Sequence, residues 1–125
     1  MTRNLLSTAA MGLATFVIAL FLHTTVHAAE LVMYEQAACP WCERFDEEIG
    51  AIYDKTDEGR RAPLRRFDIH AKPPADLSHI KSGRFTPTFV LIDEGREIGR
   101  IRGYPGDEFF WGLIGDLLAK LPAKD

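Results

Sequence analysis

The chain of 125 residues is 46% hydrophobic and 26% charged, with a formal net charge of −3 and only two cysteines. That length supports one domain with one modest core and excludes a two-domain architecture. The mildly acidic balance argues against a nucleic-acid partner and for proteins or small thiols.

The chain opens as an export signal. Arg3 supplies a short positive segment, residues 5–22 form an apolar run without a charge, and Val26-His27-Ala28 places small residues at −3 and −1 of a cleavage site. The sequence thus predicts a signal peptide over 1–28, cut after Ala28, and a single exported domain over 29–125. An uncleaved anchor helix is the rival; polar His23-Thr24-Thr25 just before the cut favours cleavage. Cleavage removes Arg3 and leaves 14 Lys and Arg against 18 Asp and Glu, a net charge of −4.

Leu31-Val32-Met33-Tyr34-Glu35 reads as a short strand that runs into Ala38-Cys39-Pro40-Trp41-Cys42. Cys42, Phe45, Ile49 and Ile52 are spaced as one face of a helix. That helix buries Cys42 and leaves Cys39 at its exposed tip, where unpaired backbone N–H groups favour a thiolate. Pro40 falls at the first helical position, which suits its fixed φ and missing N–H. Asp54 to Ala62 reads as a loop around Gly59, followed by a strand at 64–69. Beyond Lys72-Pro73-Pro74 a short helix is expected over Ala75 to Lys81, ended by Ser82-Gly83. Strands over 87–92 and 97–102 flank Asp93-Glu94-Gly95-Arg96, a hairpin connection. Gly103-Tyr104-Pro105-Gly106 breaks the last strand, and Asp107 caps a final helix with Phe110, Leu113, Ile114, Leu117, Leu118 and Leu121 as its apolar stripe. The order β-α-β-α-β-β-α defines an α/β fold, a four-stranded mixed sheet with helices on both faces.

In an exported domain two cysteines usually form a staple. A Cys-x-x-Cys pair closes too small a loop to restrain the unfolded chain much, so its spacing argues for redox chemistry. Cys39 is the candidate nucleophile and Cys42 the resolving thiol, with Pro40 and Trp41 tuning the pair. Neither of these two is cationic, and Glu43, Asp46, Glu47 and Glu48 follow closely, so a reducing couple is expected. Trp41, Phe85 and Tyr104 are candidates for an apolar rim; Phe85 and Tyr104 are as readily ordinary core residues. Arg60, Arg61, Arg65 and Arg66 form a basic run that is either a docking patch for an acidic partner or a solvated surface.

This order of elements, with Cys39-Pro40-Trp41-Cys42 after the first strand, resembles the thioredoxin fold. In Phe85-Thr86-Pro87-Thr88-Phe89, Thr86-Pro87 matches the position of that superfamily's cis-proline, whose loop faces the cysteines and pairs with an extended substrate. Gly103 matches a glycine flanking the site. The resemblance spans 31–121 and implies a thiol-disulfide oxidoreductase, without a cofactor or metal, that binds substrate at Thr86, Pro87, Trp41 and Gly103. Within the superfamily, Cys39-Pro40-Trp41-Cys42, the segment Arg60 to Arg66 and Phe109-Phe110-Trp111-Gly112 are similar to the periplasmic thioredoxins of bacterial sulfur-oxidation operons. That likeness implies a monomer that reduces a cysteine-bearing sulfur-carrier protein and draws electrons from a membrane thiol transporter. One position departs: thioredoxins carry a buried acid six residues before the first cysteine, and here Met33 stands there. Glu35 and Glu43 are then the candidate proton acceptors for Cys42.

Rival functions are weaker. Cys39 and Cys42 with His70 and His79 would number four zinc ligands, but their spacing is not that of a zinc finger. Glu43 occupies the position where haem attachment needs histidine. A disulfide oxidase or isomerase shares the chemistry, although isomerases usually need a dimerisation domain. A thioredoxin-like binding module with idle cysteines is the remaining alternative.

Overall fold

The computed structural model describes residues 28–123; residues 1–27, and with them nearly all of the expected signal peptide, lie outside the described residues. Four strands form one mixed sheet in the order β2-β1-β3-β4, with β1 at Glu30–Glu35, β2 at Leu64–Asp68, β3 at Thr88–Asp93 and β4 at Arg96–Arg102. Strand β1 is central because Leu31, Val32, Met33 and Tyr34 are apolar on both faces, and all four are buried. It runs parallel to β2, with Leu31 opposite Leu64, and antiparallel to β3, with Val32 opposite Val90. The β3–β4 hairpin turns at Glu94 and Gly95, both at positive φ, the combination that matches the twist of the strands it joins.

Alternation along the strands divides the interior in two. Leu31, Met33, Phe89, Leu91 and Ile101 face the main core, against helices α1 (Pro40–Phe45) and α3 (Asp107–Leu118). The ring of Phe110 lies 5.3 Å from Phe45 and 5.1 Å from Phe89, both edge-on, so α3 locks α1 onto β3. Val32, Tyr34, Val90 and Ile92 face the other side, under Leu77 and Ile80. The helix expected there over 75–81 is a single 3₁₀ turn, Ala75–Leu77. Leu77 and Ile80, held by this one turn and the segment after it, are enough to cover the face.

Two other expectations change. Helix α1 runs on into a π turn over Asp46–Gly50, where the i→i+5 spacing alters the phase of the apolar stripe. Cys42, Phe45 and Ile49 are buried as the spacing implied, whereas Ile52 lies past the end of the helix and is turned out to solvent. The stretch expected as a loop carries a 3₁₀ turn, Tyr53–Lys55, and helix α2 at Asp57–Arg61. Thr56 caps α2, its Oγ1 accepting from the Gly59 N–H at 3.0 Å and donating to the Tyr53 carbonyl at 2.7 Å. Gly59 is there for close approach, since a Cβ would come within 1.8 Å of the Tyr53 carbonyl oxygen. Gly59→Ala should therefore force α2 off the 3₁₀ turn and cost about 1–3 kcal/mol, read as a lower urea midpoint. Gly106, at φ 101°, is the N-cap of α3 in place of Asp107, whose Oδ1 accepts from the Glu108 N–H at 2.7 Å. On α3, Phe110, Ile114, Leu117 and Leu118 are buried, while Leu113 is exposed at the edge of the stripe.

Candidate active site

Three connections meet at the C-terminal end of β1. The first is Gln36 to Cys39. Ala38 sits at φ 55°, a left-handed residue that turns the chain sharply from strand into helix. Cys39 is the N-cap of α1 and Pro40 its first residue, as the sequence predicts. Cys39 and Cys42 form a disulfide with Cα atoms 5.2 Å apart, and Cys39 Sγ accepts from the Cys42 N–H at 3.2 Å. Contrary to expectation, Cys39 is not an exposed tip: each cysteine is only 5% accessible. The bond to Cys42 draws the Cys39 sulfur onto the edge of the main core.

The second connection is the loop before β3. Thr86-Pro87 is a cis peptide, as the resemblance implies, and Pro87 is buried. Thr88 Oγ1 donates to the Phe85 carbonyl at 2.6 Å and braces the loop from within. Gln36 Nε2 donates to Thr86 Oγ1 at 2.8 Å, which ties this loop to the turn that carries Cys39. The other end of that amide, Oε1, lies 3.0 Å from His70 Nε2, which must donate because a carbonyl oxygen only accepts.

The third connection follows β4. Gly103 stands at φ 80° and its N–H donates to the Pro87 carbonyl at 2.8 Å. A Cβ on Gly103 would meet nothing within 4 Å, so glycine is needed there for its backbone, not for space. Trp41 and Phe85 are 53% and 66% exposed, whereas Tyr104 is buried and drops out of the expected rim. Its ring stands edge-on to Phe45, at 81°.

A polar cleft opens beside the disulfide, lined by Glu35, Gln36, Cys39, Cys42, Glu43, Asp46 and Asp68. Arg66 grips Glu35 through two hydrogen bonds, 2.7 and 3.1 Å, and Asp46 through a third of 2.6 Å. Met33, in the place of the buried acid, is fully buried in the main core and offers no proton acceptor. The arginine run is not a free patch. Arg60 pairs with Asp57, Arg61 donates to the Leu118 carbonyl, Arg65 pairs with Glu30 and Asp76, and Arg66 is engaged as described. The imidazole of His79 lies 2.6 Å from the Gly95 carbonyl oxygen, at the hairpin turn, so the four residues of the zinc alternative are not gathered together.

The family model for a thioredoxin-like domain matches residues 26–117, most of the chain. The chain belongs to the thioredoxin-like family. This thioredoxin-like chain is similar to a solved structure, the periplasmic thioredoxin SoxS from Paracoccus pantotrophus in its reduced form. The two share 41% identity over 74% of this chain and 97% of that one, with a TM-score of 0.69. Two further thioredoxins share the fold at low identity. That from Malassezia sympodialis is 18% identical over 74% of this chain and 76% of its own, with a TM-score of 0.54. That from Fasciola hepatica is 21% identical over 72% and 81%, with a TM-score of 0.55. No curated protein matches the chain. With its paired cysteines at the end of β1, this member of the family is a thiol-disulfide oxidoreductase.

Sequence reasoning missed Gln36, whose signal was a lone polar residue between a buried strand and the cysteines. It also missed the bond between Glu48 and Tyr104, 56 residues apart in sequence, for which no local signal exists.

Proposed function

We propose that the chain is exported, with residues 1–28 as a signal peptide, and works in the periplasm as a monomeric reductant of protein disulfides. The observation that carries this reading is the likeness to periplasmic SoxS across nearly the whole of that protein. The client would be a cysteine-bearing sulfur carrier, and a membrane thiol transporter would return the electrons. No cofactor takes part, because both electrons reside in the two thiols.

In the reduced protein the Cys39 thiolate attacks one sulfur of the partner's disulfide, forming a mixed disulfide and expelling the partner's other sulfur as a thiolate. Cys42 then loses its proton and attacks Cys39 Sγ. This re-forms the Cys39–Cys42 bond and releases the partner's second sulfur as a thiolate, so the partner gains two electrons and the dithiol loses two. The Cys42 N–H that reaches Cys39 Sγ in the oxidised form stands ready to stabilise the Cys39 thiolate. Of the two candidate acceptors for the Cys42 proton, Glu35 is held by Arg66, while Glu43 stands exposed on the cleft wall and is the better choice. Thr86 and Pro87 would offer their backbone to an extended substrate, with Trp41 as an apolar wall. Gly103 contributes indirectly, by holding the Pro87 carbonyl.

The acids lining the cleft disfavour a thiolate at Cys39, which raises the stability of the disulfide relative to the dithiol. Equilibration with glutathione buffers should give a potential near that of thioredoxins, about −270 mV. A value near about −120 mV, that of a strong periplasmic oxidant, would overturn the reductant reading and favour a disulfide donor. Capture of clients on the Cys42→Ser variant would then name the partner: a sulfur carrier supports the proposal, and many unrelated secreted proteins refute it.

A further inference from the structure

Trp41 is an exposed indole on a short helical turn, and a side chain so placed has little to fix its rotamer. The guanidinium of Arg44 lies over its ring, 5.9 Å from the centroid. A cation–π contact at an exposed site is weak, and an unrestrained arginine would not hold it. Arg44 is restrained. Its Nε donates to Glu48 Oε1 at 2.8 Å, and Glu48 Oε2 accepts from the Tyr104 hydroxyl at 2.5 Å. Tyr104 is itself buried, with its ring packed edge-on against Phe45 and close to Phe110.

We propose that Tyr104, acting through Glu48 and Arg44, positions the indole of Trp41 as the partner-facing wall of the site. The inference rests on the reading of Trp41 as a substrate-contacting residue and adds what sets its orientation.

The π turn belongs to this device. Glu48 lies inside Asp46–Gly50, where the widened turn leaves Ile49 buried and its neighbour half-buried on the side of Tyr104. The ionisation states agree with the geometry. The Tyr104 hydrogen bond, and after it the Arg44 bond, hold the Glu48 carboxyl below its usual range. Burial, and after it the bond to Glu48, pushes the Tyr104 phenol well above its ordinary value. A neutral donor thus faces an ionised acceptor throughout the neutral range. Because Tyr104 directly follows Gly103, whose N–H holds the Pro87 carbonyl, the brace joins Trp41 to the cis-proline loop through the backbone after β4.

The test compares Tyr104→Phe, which keeps the ring and removes the hydroxyl, with Glu48→Gln, which removes the negative charge facing Arg44 and one of the two acceptor oxygens. Trp41→Ala is the reference. Insulin serves as the protein disulfide, and 5-fluorotryptophan labelling reports Trp41 by fluorine NMR, its line assigned with Trp41→Phe. Tyr104→Phe and Glu48→Gln should each raise the KM for insulin about fivefold with kcat within about twofold, and both should move the Trp41 resonance. Should Tyr104→Phe fail to fold, Glu48→Gln carries the test alone, since Glu48 is partly exposed. An unmoved resonance with unchanged KM overturns the brace, as does a fall in kcat at constant KM, which would place Tyr104 in the cysteine chemistry. If Trp41→Ala itself leaves KM unchanged, the substrate wall is refuted, and the brace has nothing to position.

Discussion

Cys39→Ser should reduce the turnover of protein disulfides by at least about a thousandfold, down to the uncatalysed rate, because a neutral hydroxyl neither attacks a disulfide nor forms one. Cys42→Ser should behave differently: the first exchange proceeds and the reaction halts at a mixed disulfide on Cys39. Non-reducing electrophoresis separates the two, with a covalent adduct for Cys42→Ser and none for Cys39→Ser. Both variants should keep the native circular dichroism spectrum, since the bond closes a loop of only four residues and the main core persists without it. An adduct on Cys39→Ser, carried by Cys42, would reverse the assigned roles. Burial of both sulfurs sharpens the expectation. With each sulfur only 5% accessible, the oxidised pair is largely covered, and what access it has lies beside the cleft that Cys39 and Cys42 line.

Phe110→Ala should be the most damaging single change outside the cysteines. The ring is fully buried and meets Phe45, Phe89, Tyr53, Tyr104 and Trp111. Removing it leaves a cavity walled by rigid aromatics that cannot collapse, at a cost of about 3–5 kcal/mol. For a small domain that is a large share of the total stability of about 5–15 kcal/mol. Urea titration should show the midpoint falling sharply with little change in slope. A loss under about 1 kcal/mol would mean that the aromatic cluster repacks, and that α3 does not lock α1 onto the sheet as described.

Much of this was legible in the chain because the signals were local. Leu31 to Tyr34 is a short apolar run, Phe89 to Ile92 another, and Gly95 at a hairpin turn is a signal in itself. Cys39-Pro40-Trp41-Cys42 combines a capping position, a first-turn proline and a pair of thiols, each with a stated physical reason to be there. The failures came from contacts and helix phase that residue type does not display. Gly59 was read as a loop residue because glycine usually breaks helices; here it lies in a helix and answers the close Tyr53 carbonyl, a contact that residue type alone does not reveal. Ile52 kept its place in a 3.6-residue period that the π turn interrupts, and nothing in Asp46-Glu47-Glu48-Ile49-Gly50 announces that turn. Tyr104 was equally plausible at the rim or in the core; its edge-on packing against Phe45, on distant α1, decides for the core. Arg65 and Arg66 showed their charge in the sequence but not their carboxylate partners, which come from β1, the π turn and the 3₁₀ turn Ala75–Leu77.

The direction of β1 settles how the domain could be held by a tether. The strand enters at Glu30 and delivers its last residue, Glu35, to the turn that carries the sulfurs, six residues or about 20 Å away. Whatever precedes Ala29 therefore joins the molecule at the pole far from the reactive bond. A leader kept as a leash in the membrane would leave the disulfide facing away from the point of attachment. An affinity handle or surface linker placed ahead of Ala29 should likewise leave the docking of partners undisturbed.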